Sequence, residues 1–509
     1  MNSPYVSENG PATFEEAIRN TGFGKFNVML VACCTCGIFS PLFETTTMSY
    51  IFAPAHCDLE LTLQDKGYLN SACYAGMITS SFIWGFLIDM FGRRKLMIFG
   101  YFLDATFVLL SGFSQSFTML LICKFFGGLI INGPFSAMPA YLSEFHSSNY
   151  RSRIQVVNGT MTNIAQILLP LLAWGIMPLQ IEWSLFGGYL KIHSWNIFLL
   201  ITSLGPIMSG IMFIFLPESP KFLMAIGENE KAMMVLKKVY KYNTGDSSDM
   251  YPVLQLIQEI QENNNDKVES KPNPMTAFKN GINKLRPLFK SPFLLKFILL
   301  TTIEITCMSS LNMLRLWMPQ LFQAMEDYKI NHNGSTANLC TMLEVLKPVS
   351  SETSCTTNVA EPGVYINSII VAAFGIALYV LTGTIINFLG KKKVLITYLG
   401  LGSASCISLF FSKGTVITTL LAAIFIASGN VCCYVCVAVI VDVFPTSLRA
   451  FTLSLVMATA RIGILIGNIL FPMLLEMGCA PPFFVVGFIM AVGCFLCFLL
   501  PNTENKALK

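Results

Sequence analysis

Apolar residues in this chain gather into long unbroken runs separated by short polar stretches, instead of recurring at the spacing of a half-buried helix or strand. A hydrocarbon layer ~30 Å thick takes about 20 apolar helical residues to cross, so each run reads as one crossing. The runs fall at about 26–52, 67–88, 96–115, 118–142, 155–177 and 195–216, then at about 295–322, 363–388, 394–412, 415–441, 450–476 and 481–500. Six spans, a polar interval and six more predict an all-α membrane protein of twelve transmembrane helices in two six-helix bundles.

The polar stretches supply the rest of the organisation. In the N-terminal segment 1–25, Thr13-Phe14-Glu15-Glu16 has the form of a capping box and predicts a short amphipathic helix at the membrane surface, with Phe14, Ala17 and Ile18 on one face. The segment has no short apolar core followed by a small-residue cleavage site, so it is not read as a secretory signal. The bundles occupy 26–216 and 295–500, the second including a polar loop at 323–362, and a tail covers 501–509. Between them, 217–294 is a linker with two predicted helices and a flexible remainder rich in Asn and Lys. Pro217-Glu218-Ser219-Pro220 opens the first helix, with serine as N-cap and proline at the first helical position.

Composition changes the picture mainly by exclusion. With 54% hydrophobic residues, 12% charged and a mean hydropathy of +0.61, the chain is far more apolar than a soluble domain, where charge alone is about a quarter. The net charge of +4 is dispersed over short loops, which argues against nucleic acid as a partner. Most cysteines lie inside apolar runs, as at Cys33-Cys34-Thr35-Cys36 and Cys432-Cys433, with no His or carboxylate at ligand spacing, and read as packing residues. His56, His146, His193 and His332 fall in predicted loops, and no nucleophile set, metal cluster or phosphate loop is visible. Neither an enzyme nor a bound cofactor is expected.

The two halves repeat each other. Gly85-Phe86-Leu87-Ile88-Asp89-Met90-Phe91-Gly92-Arg93-Arg94-Lys95 and Gly383-Thr384-Ile385-Ile386-Asn387-Phe388-Leu389-Gly390-Lys391-Lys392-Lys393 share glycine spacing and a terminal triple charge at an offset of 383 − 85 = 298. Glu144 with Arg151 and Asp442 with Arg449 recur at the same offset, 442 − 144 = 298. The bundles are thus pseudo-symmetric copies. All these cations follow even-numbered spans, which places their loops and both termini in the cytoplasm. The 323–362 loop then faces outward, where Asn333-Gly334-Ser335 is a glycosylation acceptor and Cys340 and Cys355 are disulfide candidates. Cys57 and Cys479 share that side, so the pairing stays open.

A carboxylate between glycines, followed by guanidinium groups, suits a conformational latch. Gly85 and Gly92 permit a tight turn, and Asp89 can accept from a neighbouring helix end or from Arg93 or Arg94. The alternative is that the cations only fix topology, which leaves Asp89 and the recurrence unexplained. Ionisable residues inside spans cost ~2.5–3.5 kcal/mol each at mid-membrane and are the other functional clues. Glu44 and Arg461 come first among them, either as a solute or proton site or as a static ion pair. Asp104 is read as paired with Lys124, while Glu304 and Arg315 are read as snorkelling to opposite interfaces, with a substrate contact as the other reading of Arg315. Tyr434, Trp84, Tyr141 and Trp317 are aromatics available to pack around a ligand.

Gly85 to Lys95 resembles the loop signature of the major facilitator superfamily. Pro217 to Leu223 and Asp442 to Arg449 resemble the sixth-helix ending and the loop after helix 10 in its sugar-porter and organic-ion branches. Ala17 to Phe26, Ala53-Pro54-Ala55-His56-Cys57 and Ala460-Arg461-Ile462-Gly463 carry a closer resemblance to synaptic vesicle glycoprotein 2-related transporters, insect members included, from about Phe14 to Pro501. The resemblance implies the major facilitator fold, with helices 1, 4, 7 and 10 lining the cavity and Arg461 beside it. The chain departs from the family pattern at Asn387 and Pro41, where relatives carry aspartate, and at Lys124, where they carry arginine. It departs again at Leu311-Asn312-Met313, which replace paired tyrosines and a glycine where substrate contacts are expected.

The expected function is secondary-active or facilitative transport of a small organic solute, an organic ion before a sugar, by alternating access. Glu44 would carry a coupling proton, and the Asp89 latch would form and break against the other bundle. The rival expectation is a transport-inactive, transporter-like receptor or vesicle-trafficking protein. A monomer in the lipid bilayer of the plasma membrane or of an intracellular vesicle is expected.

Overall fold

Among the described residues, twelve helices long and apolar enough to cross a membrane follow in the predicted order and make up most of the computed structural model. Residues 11–257, 286–344 and 361–500 are described. After the short α1 (Phe14–Asn20), the first half contains α2 (Lys25–Ile51), α3 (Leu63–Phe91), α4 (Arg93–Gly112), α5 (Phe117–Glu144) and α6 (Ser148–Ile176). Its sixth crossing is split into α7 (Ser194–Thr202) and α8 (Leu204–Phe215), and a hairpin of β1 (Glu182–Leu185) and β2 (Leu190–His193) precedes it. The linker supplies α9 (Pro220–Ala225) and α10 (Asn229–Thr244). The second half runs through α11 (Phe293–Arg315), α12 (Met318–Asn331), α13 (Leu339–Leu343), α14 (Pro362–Leu389), α15 (Lys391–Phe410), α16 (Gly414–Val443), α17 (Thr446–Met477) and α18 (Ala480–Phe498). The end of the molecule bearing α1, α9 and α10 is called the cap face here, and the end bearing the hairpin and α13 the loop face.

Small residues set how closely the spans approach. A Cβ on Gly128 of α5 would lie 2.0 Å from the Cys73 carbonyl oxygen of α3, and one on Gly76 of α3 would lie 2.0 Å from the Phe125 carbonyl oxygen of α5. The two backbones therefore touch, as glycines at membrane helix crossings allow. Gly92 and Gly390 end one span and begin the next at φ of 90° and 81°, and 390 − 92 is again 298.

Three expectations need correction. The capping box of α1 forms as predicted, Thr13 Oγ1 accepting from Glu16 N at 3.3 Å and Thr13 N donating to Glu16 Oε2 at 3.0 Å. Its apolar face does not lie on a membrane surface: Phe14, Ala17 and Ile18 are buried against Leu223, Leu236 and Tyr251 of the linker. The Tyr251 hydroxyl donates to Ala17 O at 2.6 Å, and Ala12 and Leu256 form an isolated parallel β-bridge. The linker has an apolar side of its own, and α1 covers it. Asn243 closes the unit, donating to the Thr21 and Gly22 carbonyls at 3.1 Å each and accepting from Phe26 N at 3.0 Å. Asn243→Ala should therefore speed amide hydrogen exchange in residues 11–26 while leaving the spans unchanged; equal exchange in both proteins would refute this role.

Second, the seventh crossing continues past 322, because α12 restarts the helix with Pro319 in its first turn and runs to Asn331. Third, Cys340 is bonded to Cys479, with Cα atoms 5.4 Å apart, and not to Cys355, which lies outside the described residues. Leu339 N donates to Ser412 O at 3.0 Å and Gly414 N to Ala337 O at 3.1 Å, pinning the segment before α13 onto the second bundle. Cys340→Ser is expected to cost about 2–4 kcal/mol of stability. Thermal unfolding of that variant against wild type, both without reductant, checks it. Asn333, at φ 50°, is exposed in the turn after α12.

Candidate functional site

Contacts between the halves concentrate toward the loop face. Phe52 packs on Trp317 with ring centroids 6.2 Å apart, Tyr50 stacks on Tyr365 at 6.4 Å, and Gln64 Nε2 donates to Glu476 Oε2 at 3.4 Å. A Cβ on Gly67 would lie 2.9 Å from the Asn468 carbonyl oxygen, so α3 and α17 meet closely there. Deeper in, Ser71 Oγ donates to Leu465 O at 3.2 Å and the Tyr74 hydroxyl to Asn312 Oδ1 at 3.4 Å.

A cavity of about 50 Å³ lies among these contacts, bordered by Thr46 and Tyr50 of α2, Gln166 of α6, Arg315 of α11, Met318 of α12 and Ser368 of α14. It has room for a few waters but not for an organic solute, whose pockets are typically about 300–1,000 Å³, so the site is constricted in this conformation. Arg315 does not snorkel to an interface. The helix breaks directly after it, which leaves the side chain at the cavity wall. One guanidinium nitrogen, Nη2, donates to Asn312 Oδ1 at 2.7 Å, the guanidinium also interacts with the Tyr74 hydroxyl, and Nε is buried with no hydrogen-bond partner among the described residues. Among the described ion pairs, none includes Arg315.

The other buried charges are arranged differently from the expectation. Glu44 Oε2 accepts from Lys124 Nζ at 3.1 Å, and Lys124 also donates to Thr47 Oγ1 at 3.1 Å. Glu44 is therefore paired with Lys124 and not with Arg461. The reason is steric: a Cβ on Gly127 would lie 2.3 Å from Glu44 Oε1, so the glycine next to Lys124's turn makes room for the carboxylate. Asp104 does not bond Lys124. It is 1% exposed, neither carboxyl oxygen has a hydrogen-bond partner among the described residues, and it lies within the fields of both Glu44 and Lys124.

Arg461 Nη1 donates to Asn132 Oδ1 at 2.7 Å and Ser81 Oγ at 3.2 Å, with its guanidinium 5.7 Å from the Phe135 ring. It thus ties α17 to α3 and α5 through neutral partners. Glu304 is 0% exposed, its carboxyl beside the Cys436 thiol of α16 and without another hydrogen-bond partner among the described residues. It sits 304 − 293 = 11 residues into α11, about 16 Å from the helix start at 1.5 Å per residue, too deep for a glutamate to snorkel. Tyr434 packs edge-on against Tyr379 at 5.2 Å and does not border the Arg315 cavity.

The repeated clasp uses different partners from those at seven-residue spacing. Arg93 Nη2 meets Glu144 Oε1 at 3.4 Å, and Lys391 meets Asp442; 391 − 93 and 442 − 144 are both 298. Arg151 instead donates to Glu15 Oε2 at 2.6 Å and to the carbonyls of Ser143 and His146 at 3.2 and 3.0 Å. Arg94 donates from its backbone to Glu218 Oε1 at 3.0 Å and from its side chain to Phe213 O and Ile214 O. Arg449 Nε has no hydrogen-bond partner among the described residues. These pairs each stay within one half, and the expected latch across the halves turns on Asp89. The Asp89 side chain lies outside the described residues, as does that of Asn387. Partial burial alone would raise the Glu15 carboxyl, but the Ser148 N–H and hydroxyl and the Arg151 charge outweigh it and hold it below the usual range.

The residues that sequence reasoning missed, Tyr50, Gln166, Ser368, Asn132 and Ser81, are uncharged. Amides inside apolar runs, such as Asn132 and Gln166, were the available signal.

Residues 22–323, more than half of the chain, match the family described as sugar (and other) transporter, and residues 356–509 match the major facilitator superfamily. Synaptic vesicle glycoprotein 2B of Rattus norvegicus is 27% identical over 327 residues, covering 62% of this chain and 48% of that one. Synaptic vesicle glycoprotein 2C of Mus musculus is 28% identical over 231 residues, covering 45% and 32%. The chain thus spans about half the length, or less, of these curated relatives. Among solved structures, the xylose transporter of E. coli in a partially occluded inward-open conformation superposes with a TM-score of 0.65 at 15% identity, covering 95% of this chain and 99% of that one. A D-xylose-proton symporter gives 0.62 at 14% identity with the same coverage. At those identities the likeness shows the fold.

Proposed function

This chain belongs to the sugar (and other) transporter family of the major facilitator superfamily, and we propose that it carries a small organic solute across the membrane by alternating access through the cavity beside Arg315. The observation that carries this reading is the placement of that cavity between the halves, roofed by the Phe52–Trp317 and Tyr50–Tyr365 contacts. Parting those contacts would open the cavity to the loop face. We assign the loop face, with Asn333 and the Cys340–Cys479 bond, to the exterior, and the cap face with its basic loops to the cytoplasm. A plasma membrane or a vesicle membrane fits equally.

Coupling to a proton fits the cluster around Lys124. Two carboxyl groups, Glu44 and Asp104, lie in the field of one ammonium, so the cluster is neutral when it holds one extra proton. Taking up and releasing that proton as the halves rock would link transport to a pH gradient. The test is uptake of labelled organic anions, cations and sugars into proteoliposomes, with and without an imposed pH gradient. Wild type is expected to accumulate at least one solute, and Asp104→Asn and Glu44→Gln to lose the response to pH. Flat traces for every solute, from protein shown to be folded, would replace this reading with that of a transport-inactive receptor.

A further inference from the structure

We propose that the Arg315 cavity takes a small monocarboxylate with an apolar body, so that the solute is an organic anion; this rests on the transporter reading above and names its substrate class. The argument begins with how the buried cations of the interior are balanced. Lys124 is neutralised by Glu44 at 3.1 Å. Arg461 is held by the neutral Asn132 and Ser81 at mid-membrane. Arg315 donates to the neutral Asn312 oxygen at 2.7 Å and interacts with the neutral Tyr74 hydroxyl, belongs to none of the described ion pairs, and borders a cavity whose other lining residues are all uncharged. A guanidinium inside a membrane without a counter-ion is costly, and an arriving carboxylate relieves that cost with a two-pronged, charge-assisted contact. A cation would add to the imbalance, and a sugar would leave it.

The seventh crossing shapes the rest of the cavity. It is interrupted after Arg315, and the 14-residue α12 begins at Met318, with Met318 and Pro319 both bordering the cavity. Facing it, Tyr50, Gln166 and Ser368 supply donors, while Leu42, Phe322 and Val371 make the rest of the wall apolar. One guanidinium and an apolar remainder match one carboxylate on an apolar body. Admitting it requires the cavity to widen.

Benzoate, benzamide and benzylammonium form a near-isosteric test set, with xylose as the sugar and a panel of other carboxylates, amines and sugars beside them. They are measured for binding to the full chain in detergent and for uptake into proteoliposomes. Carboxylates are expected to bind at least about tenfold more tightly than their amides, and Arg315→Gln to remove that preference. Asn312→Asp places a carboxylate where an amide oxygen already sits 2.7 Å from the guanidinium. That variant should stay folded and lose anion binding, so it decides the matter even if Arg315→Gln does not fold. Equal binding of acid and amide, preference for amines or sugars, or undiminished carboxylate binding by Asn312→Asp would each overturn the inference while leaving the transporter reading intact. Failure of wild type to bind or move any compound would overturn both.

Discussion

Lys124→Met should destabilise the folded protein by about 3–5 kcal/mol, because it leaves the Glu44 carboxylate buried without its counter-charge. Glu44 is 4% exposed and Lys124 1%, so no water can replace the lost ammonium without opening the bundle. Asp104, unpartnered nearby, would deepen the problem by adding a second acid to a site with no cation. The double variant Glu44→Gln, Lys124→Met removes both charges and should regain most of the loss, since replacing a buried pair by neutral groups is far milder than breaking it. Temperature-dependent loss of monodisperse protein in detergent measures this. A Lys124→Met curve that overlays wild type would mean the pair contributes little.

An effect of similar size is expected where α3 crosses α5. In Gly128→Val the new Cβ would begin 2.0 Å from the carbonyl oxygen of Cys73, and its surroundings there are backbone atoms that cannot rotate aside. Relief requires the two helices to part, which displaces the α3–α5 packing on both sides of the crossing. The cost should exceed the ~1–3 kcal/mol of ordinary overpacking. Gly175→Ala is the control, because nothing lies within 4 Å of a Cβ there, and it should express like wild type. Size-exclusion profiles of the two variants give the answer. A normal profile for Gly128→Val would show that the crossing is looser than described.

The legibility of this chain follows from what each signal measures. Run length reports the hydrocarbon thickness directly, so the twelve crossings and the repeat at 298 could be read from residues alone. Which faces of those crossings meet could not, because a span apolar on all sides has no stripe to mark its partner. The intramembrane charges were therefore found while their partners were not. Glu44 turns to Lys124 because Gly127 leaves a gap there, a fact about helix registry that no spacing encodes. Arg93 and Lys391 likewise lie 51 residues from their acids, too far for a local motif to suggest. The apolar face of α1 suited lipid and protein equally, and the linker that covers it offered no clear periodicity beyond its short helices. The Arg315 cavity depends on a helix break at Leu316 and Trp317, inside what reads as one continuous apolar run.

Alternating access is tested most directly at the loop face, where Gln64 of α3 and Glu476 of α17 face each other across the halves at 3.4 Å. Cysteines placed at both positions, joined by a short cleavable thiol cross-linker, would hold that face shut. Solute uptake by the cross-linked double variant should then fall to the level of empty liposomes and return when the linker is cleaved, with wild type unaffected by either treatment. Undiminished uptake with the cross-link in place would contradict the account, because solute would be crossing without the halves parting at that face.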